Sequence, residues 1–288
     1  MTGTFRIPRD DAFCESDLRE ALSNGEFELY VQPIVAASSG KVVSCETLLR
    51  WNRPGHGVVT PGSIIALAER SALIIEIDAF MLDRCCEVLA RWQHRGAAVP
   101  LAVNVSARHL MSGDLVGDVQ RALAKRAIPS NLLQLELTES QLVTDLARAA
   151  SVLDELRALG VRIALDDFGT GHATQAYLDG LPIDTMKIDR SYIAMLTVDP
   201  AAAAIVTNFI RMAADLDLGI VAEGVESAIR ADVLADLGCH HLQGYYFAYP
   251  MTISSFEIWS GPYGVGTEWL GTEMRADHGT SVAITGPD

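Results

Sequence analysis

The sequence predicts an α/β barrel of eight strands formed by one domain. Three observations point there. Strand-like and helix-like segments alternate about every 20 to 35 residues, the rhythm of parallel βαβ units. Eight strand-like segments can be counted between Phe27 and Gln243. The 288 residues show no break in composition, and one such barrel uses roughly 250.

Residues 1–14 carry no sustained pattern and read as a terminal arm. Glu15 to Ser23 reads as a short helix stopped at Asn24-Gly25. Phe27–Val35 is a strand by its aromatic and β-branched content; Pro33 cannot donate to a ladder and is expected near the strand's end. After the Ser38-Ser39-Gly40 turn, Val42–Trp51 is a second strand, and the two form a hairpin that opens the barrel irregularly. Prolines and glycines mark 52–62 as a loop. Helices are expected over Ser63–Ser71 and Ile77–Trp92, the second with Ile77, Met81, Cys85, Val88, Leu89 and Trp92 on one face.

From there the alternation is regular. Strands are expected at Leu101–Val105, Leu132–Leu137, Ile163–Leu165, Thr185–Ile188, Gly219–Ala222 and His241–Gln243. Helices fall near 114–126, near 143–159 with its end at Gly160, and at 203–216. The last presents Ile205, Phe209, Met212, Ala213 and Leu216 as one stripe. His240-His241 is expected in a strand, one side chain on each face. The barrel domain is thus expected over 15–262, and the Gly- and Thr-rich tail 263–288 is expected to be disordered from about Arg275 onward.

Composition narrows the function. A formal charge of −15 argues against a basic footprint for long nucleic acid. No apolar run approaches the roughly 18 residues that span a bilayer, and the N-terminus lacks the apolar centre of a signal peptide, so a cytoplasmic protein without membrane contact is expected. Five cysteines, odd in number and set in apolar stretches, suit reduced core thiols.

Chemistry in a βα barrel sits at the C-terminal ends of the strands. Those ends carry Glu46, Asn104, Glu136 with Glu139, Asp166 with Asp167, Lys187 with Asp189, Glu223 with Glu226, and Gln243. So many converging carboxylates repel one another unless cations sit between them, and all-oxygen ligands favour Mg²⁺ or Mn²⁺ over zinc. Lys187 reads either as an ion-pair partner or as the group that orients an attacking water and offsets charge developing at phosphorus. Arg50, four residues beyond Glu46, can hold a phosphate.

The residues Tyr30-Val31-Gln32-Pro33-Ile34, Glu46-Thr47-Leu48-Leu49-Arg50, Asn104-Val105-Ser106, Glu136-Leu137-Thr138-Glu139, Asp166-Asp167-Phe168-Gly169-Thr170-Gly171, Lys187-Ile188-Asp189, Ala222-Glu223-Gly224-Val225-Glu226 and Gln243-Gly244-Tyr245 occur in that order. Over roughly 16–258 the chain resembles the EAL-domain phosphodiesterases of bacterial cyclic di-GMP signalling. The resemblance implies a TIM-like (β/α)8 barrel whose first strand runs against the others, and hydrolysis of cyclic di-GMP to linear pGpG. It implies two ions: Glu46, Asn104, Glu136 and Asp166 as ligands of one, Asp167 and Glu223 with the second, and Asp166 as a bridge. It makes Lys187 the residue that positions water, Glu223 a candidate general base, and Gln32, Arg50 and Gln243 substrate contacts. Glu139 would anchor the loop Phe168–Thr174, which couples the site to a homodimer.

Two positions depart from the family pattern. Thr47 stands where the signature has alanine, for which a packing change of modest effect is expected. Gly171-His172-Ala173-Thr174 replaces the usual Tyr-Ser-Ser after the glycine, which bears on loop regulation. No cyclase segment or sensor precedes the barrel in the sequence as it stands, so regulation is expected from partners, oligomerisation or expression. Alternatives to the enzyme are a receptor that binds cyclic di-GMP without cleaving it, a protein-interaction module, and a phosphatase or nuclease with the same chemistry.

Overall fold

A computed structural model describes residues 13–138, 145–170 and 181–260. Its strands are β1 (Phe27–Ala36), β2 (Val42–Arg53), β3 (Gly57–Val59), β4 (Leu101–Asn104), β5 (Leu133–Thr138), β6 (Arg162–Phe168), β7 (Thr185–Ile188), β8 (Gly219–Ala222), β9 (His241–Leu242) and β10 (Met251–Thr252). Eight of them close into a ring, β1-β2-β4-β5-β6-β7-β8-β9, with β9 returning to β1. From β2 to β9 each ring neighbour is parallel, while β1 is antiparallel to both β2 and β9. This is the TIM-like barrel with a reversed first strand. β3 and β10 are short additions, one folded back on β2 at Trp51↔Val59, the other on β1 at Tyr30↔Thr252.

Strands covered on both faces read as unbroken apolar runs, and here Leu101–Val103 and Ile163–Leu165 are buried throughout. The helix Leu73–His94 buries the expected face of Ile77, Met81, Cys85, Val88, Leu89 and Trp92. Each such fully buried large side chain contributes about 1.5–3 kcal/mol. Left-handed glycines end two helices where glycine was expected, at Gly25 (φ 70°) and just past Ala158 at Gly160 (φ 87°).

Several expectations are corrected. Residues 52–62 are not a loop: β2 runs on to Arg53, β3 follows, and a helix Pro61–Ala68 starts with Pro61 in its first turn, where no N–H is required. The helix at 200–215 buries Ala213 of the expected stripe together with Ala202, Val206 and Ile210, while Phe209, Met212 and Leu216 are only partly buried and Ile205 is 37% exposed. That helix is apolar around much of its circumference, so periodicity alone did not choose a face. Cys14 is exposed, unlike the other four cysteines, and His240 lies outside β9.

Pro33 sits in the middle of β1, opposite Cys45. The Cys45 N–H donates to Pro100 on the far side of β2, so this pair is not hydrogen-bonded and the Pro33 nitrogen faces the other edge of β1. There β1 meets β10 at Tyr30 and Val31 and β9 at Val35 and Ala36, leaving residues 32–34 between the two ladders. No hydrogen bond is forfeited. The arm before Phe13, the tail after Ser260, Glu139 and residues 171–174 of the loop lie outside the described residues. No helix among the described residues is long and apolar enough to cross a membrane.

Candidate active site

Parallel pairing aligns the strands, so Glu46 within β2 and residues near or just past the C-terminal ends of β4, β5, β6, β7 and β8 meet at one mouth. Lys187, on β7, lies at the centre with no exposure at all. Its Nζ is 2.6 Å from Glu223 Oε1, 3.0 Å from both Glu136 Oε2 and Asp166 Oδ1, and 3.6 Å from Glu46 Oε2. Four strands thus deliver four carboxylates to one ammonium. Burial works against the lysine's charge, but Asp166, Glu136, Glu223 and Glu46 hold its pKa well above the ordinary value.

One cation cannot balance this set. Burial, with the charges of Glu46 and Asp166, pushes the Glu136 carboxyl up to about 8 against the pull of Lys187. Burial likewise drives Glu223 well above the carboxylate range, and it lifts Asp167 to about 6 with help from Asp166 and Asp189. The oxygens form two overlapping triads, Glu46–Glu136–Asp166 and Asp166–Asp167–Glu223, each with its atoms within 4.8 Å of one another. Asp166 belongs to both. Crowded carboxylate oxygens in two adjoining groups fit hard divalent cations.

Amides hold the first triad in place. Asn104 Nδ2 donates to Glu46 Oε1 at 3.1 Å, and Gln243 Nε2 donates to Glu46 Oε2 at 2.7 Å and to Gln32 Oε1 at 3.3 Å. Gln32 Nε2 reaches the Ala248 carbonyl at 3.1 Å. Among the described residues, the buried Gln243 Oε1 has no hydrogen-bond partner. Arg50 is half-buried, with its guanidinium 5.5 Å from the Tyr30 ring centre. Tyr245 and Tyr249 stand exposed nearby with ring centres 4.4 Å apart. A cavity of about 530 Å³ opens beside Asn104 and Glu136, walled by Leu48, Ile65, Ile77 and Met81.

The sequence itself matches the EAL domain family over residues 15–250. The chain belongs to that family. This EAL domain is 41% identical over 236 residues to the bifunctional diguanylate cyclase/cyclic di-GMP phosphodiesterase MucR of Pseudomonas aeruginosa, covering 82% of this chain and 34% of that protein. It is 38% identical over 243 residues to the signaling protein YkoW of Bacillus subtilis, covering 84% of this chain and 30% of that protein. The chain therefore spans about a third of the length of these curated relatives. A solved structure described as the PaMucR phosphodiesterase in a c-di-GMP complex superposes with a TM-score of 0.81 at 40% identity, covering 84% of this chain and 98% of that one.

The EAL domain thus brings together Gln32, Glu46, Asn104, Glu136, Asp166, Asp167, Lys187, Glu223 and Gln243, with Arg50 at the rim. Glu226 points elsewhere, 61% exposed and paired with Arg230 at 3.3 Å. Asp189 caps the next helix through the Ser191 N–H at 3.0 Å. At the departure from the family signature, the Thr47 hydroxyl donates to the Ala102 carbonyl of β4 at 2.7 Å, so the substitution adds a bond between β2 and β4.

Sequence reading missed the layer behind Asn104. Asp78 Oδ2 accepts from the Ser106 N–H at 2.9 Å and from its hydroxyl at 2.6 Å. Fully buried His109 lies between Asp78 Oδ2, 3.5 Å from Nδ1, and Asp118 Oδ2, 3.0 Å from Nε2. Burial opposes the imidazolium, but the two carboxylates outweigh it and raise the His109 pKa above 6.5. A folded-state pKa raised above the unfolded value contributes stability that is complete below 6.5 and is lost as pH rises through the folded value. Urea midpoints measured between roughly pH 6 and 9 should therefore decline in the wild type and lose that part of the slope in His109→Gln. An identical slope in the variant would assign the decline to other groups.

Proposed function

We propose that this EAL domain is a phosphodiesterase that hydrolyses cyclic di-GMP to linear pGpG with two divalent cations, Mg²⁺ or Mn²⁺. The observation that carries the reading is the pair of carboxylate triads sharing Asp166 around Lys187. Glu46, Asn104, Glu136 and Asp166 would hold one cation; Asp166, Asp167 and Glu223 would hold the other. Cations bound there would supply Lewis acidity to the phosphate oxygens and make a nearby water more acidic.

The chain's own residues do the rest. Lys187 donates to the attacking water and orients it, and its charge offsets what builds up at phosphorus. Glu223, 2.6 Å from the ammonium, takes the water's proton. Water oxygen bonds to phosphorus as one ring P–O bond breaks, and the proton taken up by Glu223 passes on to the departing oxygen. The orphan Gln243 Oε1, Gln32 and the Arg50 guanidinium contact the dinucleotide. The names of relatives as cyclic di-GMP phosphodiesterases support the substrate class.

Purified protein incubated with Mn²⁺ and cyclic di-GMP should yield pGpG by chromatography, and Glu46→Ala should yield none. Tight binding of the dinucleotide with no product from the wild type would make this a receptor. Equal turnover of a generic phosphodiester would make it a broader nuclease.

A further inference from the structure

Adjacent residues of a regular strand face opposite sides, so Asp166 and Asp167 cannot both reach the mouth from an unbroken β6. The chain meets this with a slip in register between Leu165 and Phe168 and a left-handed backbone at Asp167, φ 52°. Bulges of this kind re-aim side chains beside active sites. A residue with a Cβ disfavours that backbone, so contacts around the turn must hold it.

Several contacts do so, among them the Asp167 N–H donating to Asp166 Oδ1 at 3.0 Å. Phe168 rejoins the ladder opposite Ile188. Thr170 folds back, its hydroxyl donating to the Asp167 carbonyl at 2.8 Å. The Tyr192 hydroxyl, from the helix Arg190–Met195 after β7, donates to the Gly169 carbonyl at 2.6 Å. The Tyr192 ring stands edge-on to Phe209 at 5.5 Å, and Phe209 edge-on to Phe168 at 5.0 Å. These rings leave no space over Gly169, whose φ is 98° and where a Cβ would lie 2.8 Å from carbons of both Tyr192 and Phe209.

We propose that Tyr192 is a positioning residue for Asp167. Its hydroxyl fixes the end of the bulge, and the bulge turns the Asp167 carboxylate toward Asp166 and Glu223. Tyr192 thereby sets the affinity of the second cation position, while the first takes Glu46, Asn104 and Glu136 from strands outside the bulge and shares only Asp166 with the second. This rests on the two-cation reading above. Ring packing and hydroxyl are separable, because phenylalanine keeps the contacts with Phe209 and Gly169 and loses only the bond.

The test is Tyr192→Phe in the full chain, titrated with Mn²⁺ alone by calorimetry and followed by electron paramagnetic resonance, with circular dichroism melting of both proteins as a check on folding. Two Mn²⁺ ions sharing Asp166 give a spin-coupled signal. In the variant, the first ion should bind as in the wild type, while the second binds about tenfold more weakly, the size of one lost hydrogen bond. The coupled signal should appear at correspondingly higher Mn²⁺, and turnover lost at limiting Mn²⁺ should be restored by excess. Unchanged binding of both ions, or equal weakening of both, overturns the assignment. Fewer than two Mn²⁺ on the wild type overturns the two-cation reading, and with it the role given to Tyr192. Tyr192→Leu, which also removes the ring, should weaken the second ion further; second-ion binding equal to the wild type's would overturn the proposal independently.

Discussion

Replacing Lys187 by alanine is expected to lower turnover of cyclic di-GMP by about 10²- to 10³-fold, the scale of removing one preorganised charge from the reaction centre. In metal-free protein the same change should cost about 3–5 kcal/mol of stability, because it strands carboxylates that lose their buried partner. The geometry explains both. Nζ lies within 3.6 Å of four carboxylates, so the ammonium is the counter-charge that lets those strand ends approach, and under the proposed function it is also the group that orients the attacking water. Chemical denaturation with and without Mn²⁺ separates the two roles. Added cation should recover much of the stability of Lys187→Ala and little of its turnover. Turnover recovered in step with stability would reduce the lysine to a structural ion-pair partner.

Gly244→Ala is the second large effect, and it arises without any charge. A Cβ on Gly244 would overlap the backbone N and O of Val225 and sit 2.6 Å from its carbonyl carbon. Backbone cannot swing away as a side-chain tip can, and both partners are committed: Val225 N–H donates to the Gln243 carbonyl and Tyr246 N–H to the Val225 carbonyl, each at 3.0 Å. One methyl group should therefore cost about 3 kcal/mol, at the upper end for overpacking. It should also displace Gln243, whose amide holds Glu46, so Mn²⁺ affinity should fall together with the melting temperature. Tyr245→Ala, one residue on at an exposed side chain, is the control and should melt within about 0.5 kcal/mol of the wild type. A Gly244→Ala protein as stable as that control would show that the two segments can part.

Much of this was legible in the sequence because it depends on period and punctuation. Apolar runs of strand length ending in carboxylates located the mouth, and parallel pairing did the rest. Of the residues that the resemblance would make metal ligands, Glu46, Glu136, Asp166 and Glu223 stand around Lys187, with Asn104 and Asp167 beside them. What escaped has a common physical cause. Whether Ile205 or Val206 faces the barrel depends on a helix apolar on several sides, and only packing chooses. The middle of β1 tolerates Pro33 because of a gap between two ladders that no local pattern announces. The Asp78–Ser106–His109 layer and the Tyr192 bond join residues distant in sequence, and polar pairs of that kind carry no period.

The reversed β1 has a consequence for how the chain is made. A nascent chain leaves the ribosome from its N-terminus, so the β1–β2 hairpin can form early from adjacent segments, whereas the opposite edge of β1 waits for His241–Leu242 and Met251–Thr252. During that interval the barrel is an open sheet with two raw margins, the state most exposed to pairing with a neighbouring chain. Pro33 puts a residue without an N–H on the waiting margin. The same proline that leaves the finished barrel untroubled would therefore make the unfinished one a poor template for its neighbours.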